Sequence, residues 1–245
     1  MAEDRLIDRE DTNDAAGQAA LDGVAMPQTR SMKARAPMDT TDRRLLVLAG
    51  VWTIGLVASG WAPFDRATWW MEIAPVLIAF PILVALRRSF AFTPLALGLI
   101  ALHGLVLMLG GAYTYARVPI GFAVQDWLHL ARNPYDRFGH LMQGFVPAIV
   151  LREVLVRTRA ITAPRLLAVT VLAYCLSVSA LYELIELGAA VALGQGADAF
   201  LGTQGDPWDT QWDMLMCLVG ASVALLLLSR VHDRQIERLR SNPTS

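Results

Sequence analysis

The chain has 245 residues, 55% of them hydrophobic and 18% charged, with a mean hydropathy of +0.42. Soluble domains carry about 25% charged residues, so this deficit, with long apolar runs, excludes an ordinary soluble domain. It indicates an all-α, polytopic membrane protein whose surroundings are the lipid bilayer. A formal net charge of −1 offers no basic surface for nucleic acid.

Residues 1–42 are polar and charged with little to bury, and are expected to form a disordered cytoplasmic tail. They lack a basic start followed by an apolar core, so the first span is expected to insert uncleaved. Six runs approach the roughly 20 apolar residues that a crossing needs: 45–64, 69–86, 90–113, 134–156, 164–193 and 212–231. The organisation expected is a tail (1–42), a transmembrane helical domain (43–231) and a basic cytoplasmic tail (232–245). Fourteen Lys and Arg residues, from Lys33 to Arg240, fall on one side of these spans, and Arg66, Arg117, Arg132 and Arg137 fall on the other. The basic side is cytoplasmic by the positive-inside rule. Both termini are then inside, as in a multi-pass bacterial inner-membrane protein.

The connection at 114–133 contains Phe122, Asp126, Trp127, Leu128, Leu130 and Arg132. That pattern predicts a short helix lying at the interface. The fourth span opens with Asp136, His140, Gln143 and Pro147 at spacings that share one helical face. The fifth ends with Ser179, Glu183 and Glu186 on one face and Tyr182 beside them. Cys175 and Cys217 sit in apolar runs and are read as packing residues, separated by roughly 10 Å in depth and so beyond disulfide reach. His103 is read as a hydrogen-bonded core histidine, and Glu153 as an interface pair with Arg152. Cys217, Gly220 and Ala224 form a small-residue face suited to close packing on the fourth or fifth span.

Residues 194–213, GQGADAFLGTQGDPWDTQWD, are rich in aspartate and carry no base. Asp206 before Pro207 predicts a cap and a helix start at Pro207, with Asp209 and Asp213 on one face. Trp208 and Trp212 on another face suit an interfacial anchor.

Ten acids collect on the outward side with only the four arginines named above. Two carboxylates about 4 Å apart repel by roughly 4 kcal/mol at an effective dielectric near 20. Ionisable groups within spans are functional candidates. The sharpest expectation is a divalent metal (Zn, Mn, Fe or Mg) held by Asp136, His140, Asp209 and Asp213. Glu183 or Glu186 would act as general base, with Asp206, Gln143 and Tyr182 in support. The plainer expectation is a structural network, in which Asp136 caps its helix, His140 bonds a carboxylate and Arg137 pairs with a glutamate. A third is a proton or ion path, for which Tyr174, Ser177, Ser179 and His103 are the further polar groups on offer.

The run Tyr135-Asp136-Arg137-x-Gly-His140-x-x-Gln143-Gly144, then Tyr182-Glu183-x-x-Glu186, then Asp198 through Thr203-Gln204-Gly205-Asp206-x-Trp208-Asp209 to Asp213-Met214, resembles the YjdF family of bacterial inner-membrane proteins. The resemblance covers roughly 45–230 and implies a polytopic inner-membrane protein of uncharacterised activity. A weaker likeness, to VanZ-like membrane proteins, rests on Asp136-Arg137-x-x-His140 and on Asp213 with Gly220; Cys217 stands where that family has asparagine. Three functions are therefore carried forward: a metal-dependent membrane enzyme acting on a lipid or envelope precursor, a proton- or ion-coupled transporter, and a non-catalytic scaffold.

Overall fold

The computed structural model describes residues 39–193 and 204–241. Most of the expected N-terminal tail, Asp198, Gly202 and Thr203 lie outside them. Seven helices and no strand occur among the described residues: α1 Thr40–Gly60, α2 Arg66–Leu86, α3 Pro94–Tyr113, α4 Pro119–Leu128, α5 Tyr135–Arg157, α6 Pro164–Leu193 and α7 Asp209–Ser241. All but α4 are long and apolar enough to cross a membrane. The short helix expected in the 114–133 connection is α4, and it exposes Phe122, Trp127 and Leu128.

The helix starts follow local chemistry. Asp39 accepts from Thr41 N, Asp65 from Thr68 N and Thr93 from Ala96 N, so side-chain oxygens occupy three N-caps. Proline stands at the first helical position of α3 and α4, where its missing N–H costs nothing. The Thr68 N–H bond also holds the Asp65 carboxyl below its usual range.

Helix α5 is the centre of the bundle and packs on α3, α6 and α7, while α1 and α2 pack on α3. The closest approach is between α5 and α7. A Cβ at Gly144 would stand 2.6 Å from the carbonyl carbon of Cys217, and a Cβ at Gly220 would stand 2.9 Å from that of Leu141. Only glycine lets the two backbones meet there, which is the small-residue packing expected, with α5 as partner.

Several expectations need correction. Helix α7 begins at Asp209, with Pro207 and Trp208 in a preceding turn. Asp206 caps that turn, accepting from Trp208 N at 2.9 Å. At its other end α7 runs on to Ser241, because His232 and Ile236, four apart, are buried and Gln235 accepts from Leu95 N of α3 at 2.9 Å. Cys175 and Cys217 lie at one depth, with Cys217 Sγ 3.3 Å from Cys175 O. Counting residues from assumed span ends misjudged this, because α6 and α7 are unequal in length and cross where packing allows. Both thiols are free and buried.

Glu153 does not pair with Arg152. It is 0% exposed and accepts from Thr93 N and Oγ1, from Arg157 and, at 3.0 Å, from His232 Nε2. Arg152 instead pairs with Asp233 at 2.7 Å. This satisfied network joins α3, α5 and α7 at the rim opposite the acidic residues.

Candidate functional site

Four helix ends build the site. Helix α2 contributes Glu72 from its second turn, α5 contributes Asp136 and His140, α6 contributes Tyr182, Glu183 and Glu186, and α7 contributes Asp209 and Asp213. The glycine crossing of α5 on α7 holds their first turns together, so aspartates remote in sequence become neighbours.

Two groups of potential ligands overlap at Asp213. His140, Glu183 and Asp213 each offer an atom within 4.8 Å of the other two, and so do Asp136, Asp209 and Asp213. The second group already has a cation. Arg132 donates to Asp209 and, at 3.4 Å, to Asp136, and it lies 3.8 Å from Asp206. Arg137 pairs with Asp206 at 2.7 Å, not with a glutamate, and its guanidinium lies over the Trp212 ring.

The first group differs. His140 Nε2 is 3.6 Å from Glu183 Oε1 and 3.9 Å from Asp136 Oδ1, beyond hydrogen-bond length. Its Nδ1 is 3.0 Å from Gln143 Oε1. With the proton on Nδ1 donated to Gln143, Nε2 turns a lone pair toward carboxylates. Glu183 Oε1 and Asp213 Oδ1 are buried and have no hydrogen-bond partner among the described residues. Unsatisfied buried oxygens are costly, and a cation shared by the three groups removes the cost. A tetrahedral ion with bonds of about 2.1 Å keeps its ligand atoms about 3.4 Å apart, close to the His140–Glu183 spacing.

The other expected residues have distinct places. Glu72 is buried and accepts from the Tyr182 hydroxyl at 3.0 Å. Gln143 supports His140, and Glu186 lines the cavity beside them. Asp136, His140, Gln143 and Pro147 do share a face, toward that cavity. His103 also lines it, but its Nε2 has no hydrogen-bond partner among the described residues. Tyr174 and Ser177 are exposed on the outside of α6, and Ser179 is buried.

Three contributors escaped the sequence reading. Arg132 was placed on an interfacial helix yet sits at the centre of the aspartates; its spacing of four from Asp136 was the available signal. Gln204 clamps Asn133 through both backbone groups, N and O, at 3.1 Å each. That clamp ties the turn before α7 to the start of α5. Thr114 and Tyr115 are both left-handed, which returns the Tyr115 ring onto α3 and α5. Burial, with Glu72 and Tyr182 alongside, pushes its hydroxyl well above the usual range, so it stays a neutral donor.

Comparison with known proteins agrees with this architecture. The family model described as "Predicted membrane protein (DUF2238)" matches residues 44–234. The inner membrane protein YjdF of Escherichia coli (strain K12) is 52% identical over 186 residues, 76% of this chain and 89% of that protein. No solved structure matches the chain.

Proposed function

The chain belongs to the DUF2238 family of membrane proteins, and from that premise we propose that it is a metal-dependent enzyme of the bacterial inner membrane, working on a bilayer-borne substrate at the outward rim. The observation that carries this reading is the meeting of His140, Glu183 and Asp213, each offering an atom within 4.8 Å of the other two, with Glu183 Oε1 and Asp213 Oδ1 buried and without a hydrogen-bond partner among the described residues. The Lys and Arg asymmetry supports an outward-facing site, and the name of the Escherichia coli relative supports the inner membrane.

In this reading His140, Glu183 and Asp213 hold a divalent ion, and Asp136 stands at its edge. Gln143 fixes the imidazole by taking the Nδ1 proton, the kind of support that tunes metal ligands. Arg132 neutralises Asp209 and Asp136, so the ion need not. The ion supplies Lewis-acid activation of water or of a substrate oxygen. Glu186, lining the cavity and not among the ligand atoms, is the general base. Glu183 is then a ligand and not the base, and Asp209 is the partner of Arg132 and not a ligand. An ion-path reading has less support, because Tyr174 and Ser177 are exposed on the outside of α6.

The test is metal content of the purified full chain by elemental mass spectrometry, after loading with Zn, Mn, Fe or Mg and desalting. About one ion per chain is expected, falling at least tenfold in His140→Ala and in Asp213→Asn. Less than a tenth of an ion per unmutated chain under all four loadings overturns the reading.

A further inference from the structure

A cavity of about 290 Å³ opens beside the acidic cluster. Its wall has two kinds of residue. Near the rim are Glu72, Asp136, His140, Gln143, Tyr182 and Glu186. Deeper in the bundle are Val76, Ala79, Ile100, Val150 and Val178. Along α5 the lining runs from Asp136 to Val150, about 21 Å at 1.5 Å per residue. One leaflet of hydrocarbon is roughly 15 Å deep, so the cavity extends from the polar rim through a full leaflet. Its volume is at the low end for small-molecule sites, about 300–1,000 Å³, which suits one chain and not two.

The cavity also has a side door. Helices α2 and α6 both line it, yet they have no extended packing interface with each other among the described residues. The Tyr182 hydroxyl bond to Glu72 bridges the gap at the rim. Pro75 stands exposed on α2 where it lines the cavity, and its missing N–H leaves the carbonyl of Met71 without its helical partner. Pro147 does the same for Gln143 on α5. In a helix pair crossing the bilayer, what lies outside such a gap is the acyl chain of a lipid.

We propose that this cavity is a slot for one aliphatic chain of a bilayer lipid, which enters sideways between α2 and α6 and brings a head without net negative charge to His140. The head assignment follows from the wall. Glu72, Asp136 and Glu186 line that end, and among the described residues no Lys or Arg lines the cavity. Arg132 balances Asp136 at 3.4 Å, but an anionic head would still face Glu72 and Glu186, whereas a hydroxyl, amide or amine finds acceptors. The inference rests on the metal-site reading for what is done to the head, and it is independent of that reading for occupancy.

The experiment is photo-crosslinking of the full chain in nanodiscs containing a diacylglycerol with a diazirine on one chain, in the presence of EDTA, with labelled residues located by mass spectrometry. Labelling of Val76, Ala79 and Val178 is expected, in addition to lipid-facing residues such as Leu226 and Leu227. Ala79→Trp and Val178→Trp fill the slot from opposite walls, and each is expected to reduce the internal labels at least fivefold while leaving Leu226 and Leu227 labelled. Unlabelled diacylglycerol is expected to compete at least fivefold better than phosphatidylglycerol. Labels confined to outward faces of the unmutated protein, or internal labels untouched by either tryptophan, overturn the slot. Equal competition by phosphatidylglycerol overturns the head assignment. His140→Ala is expected to keep the internal labels while losing metal, so a failed slot and a failed metal site give different results.

Discussion

Replacing Gly220 with alanine probes the contact on which the candidate site depends. A Cβ there would stand 2.9 Å from the Leu141 carbonyl carbon and 3.1 Å from Phe145 N, both backbone atoms of α5. Carbon atoms settle at about 3.5–4.0 Å. The Leu141 carbonyl oxygen is closer still, and no rotamer change can clear a backbone obstruction, so α5 and α7 must part by about 1 Å or more. Overpacking of this kind costs about 1–3 kcal/mol, occasionally more. For a domain of about 150–250 residues each kcal/mol shifts Tm by about 2–4 °C, so a fall of about 2–12 °C is expected in detergent. The same movement separates His140 on α5 from Asp213 on α7. Metal sites tolerate about 0.2 Å of misplacement, so at least a tenfold loss of divalent-ion affinity should accompany the fall. The control is Gly98→Ala, an exposed helical position where a Cβ meets nothing within 4 Å. It should be neutral, or stabilising by up to about 1 kcal/mol. Gly220→Ala that unfolds at the parental temperature and binds metal normally would refute the claim that this crossing sets the site.

Other outcomes follow from individual contacts. His232→Ala leaves the fully buried Glu153 short of a partner; breaking a buried pair costs about 3–5 kcal/mol, so thermal unfolding should drop sharply even though the change is at the rim opposite the site. Gln143→Ala should weaken divalent-ion binding about 10–100-fold with little change in Tm, read by metal titration. Arg132→Met removes the cation among Asp136, Asp206 and Asp209; the variant should be destabilised in EDTA and partly restored by millimolar divalent ion, as read by unfolding curves with and without it. Asp65→Ala removes the α2 cap, at a cost of about 0.5–2 kcal/mol. Because the folded Asp65 carboxyl is held below its usual range by the Thr68 N–H, that contribution is present above the unfolded value, near 4. It disappears as pH falls through the lower folded one. The parent and Asp65→Ala should therefore converge in stability at strongly acid pH, and a difference that persists there would contradict the sign.

Much of the fold was legible because helix periodicity and apolar length are local properties. The six spans, the short helix before Arg132, the shared face of Asp136, His140, Gln143 and Pro147, and the small-residue stripe at Cys217, Gly220 and Ala224 all follow from spacing along one helix. Where a partner lay on another helix, spacing failed. Glu153 was assigned to its chain neighbour Arg152, yet in the structure α3 and α7 reach it first, with Thr93 and His232. The two cysteines were separated in depth by counting, and the packing of α6 on α7 placed them side by side. Asp209 was expected to hold metal, and Arg132 met it instead.

What the chain alone determined is the set of helices, their order along the chain and the gathering of acids at one rim, because the burial of apolar surface and the spacing of charges depend on residue type and count. Which acids meet which bases was decided by tertiary structure. The crossing of α5 on α7 at Gly144 and Gly220 sets the rotation and depth of each helix, and a shift of one residue turns a side chain through about 100°. That rotation makes Asp213 a neighbour of His140, the packing of α6 on both helices adds Glu183, and no local pattern encodes either.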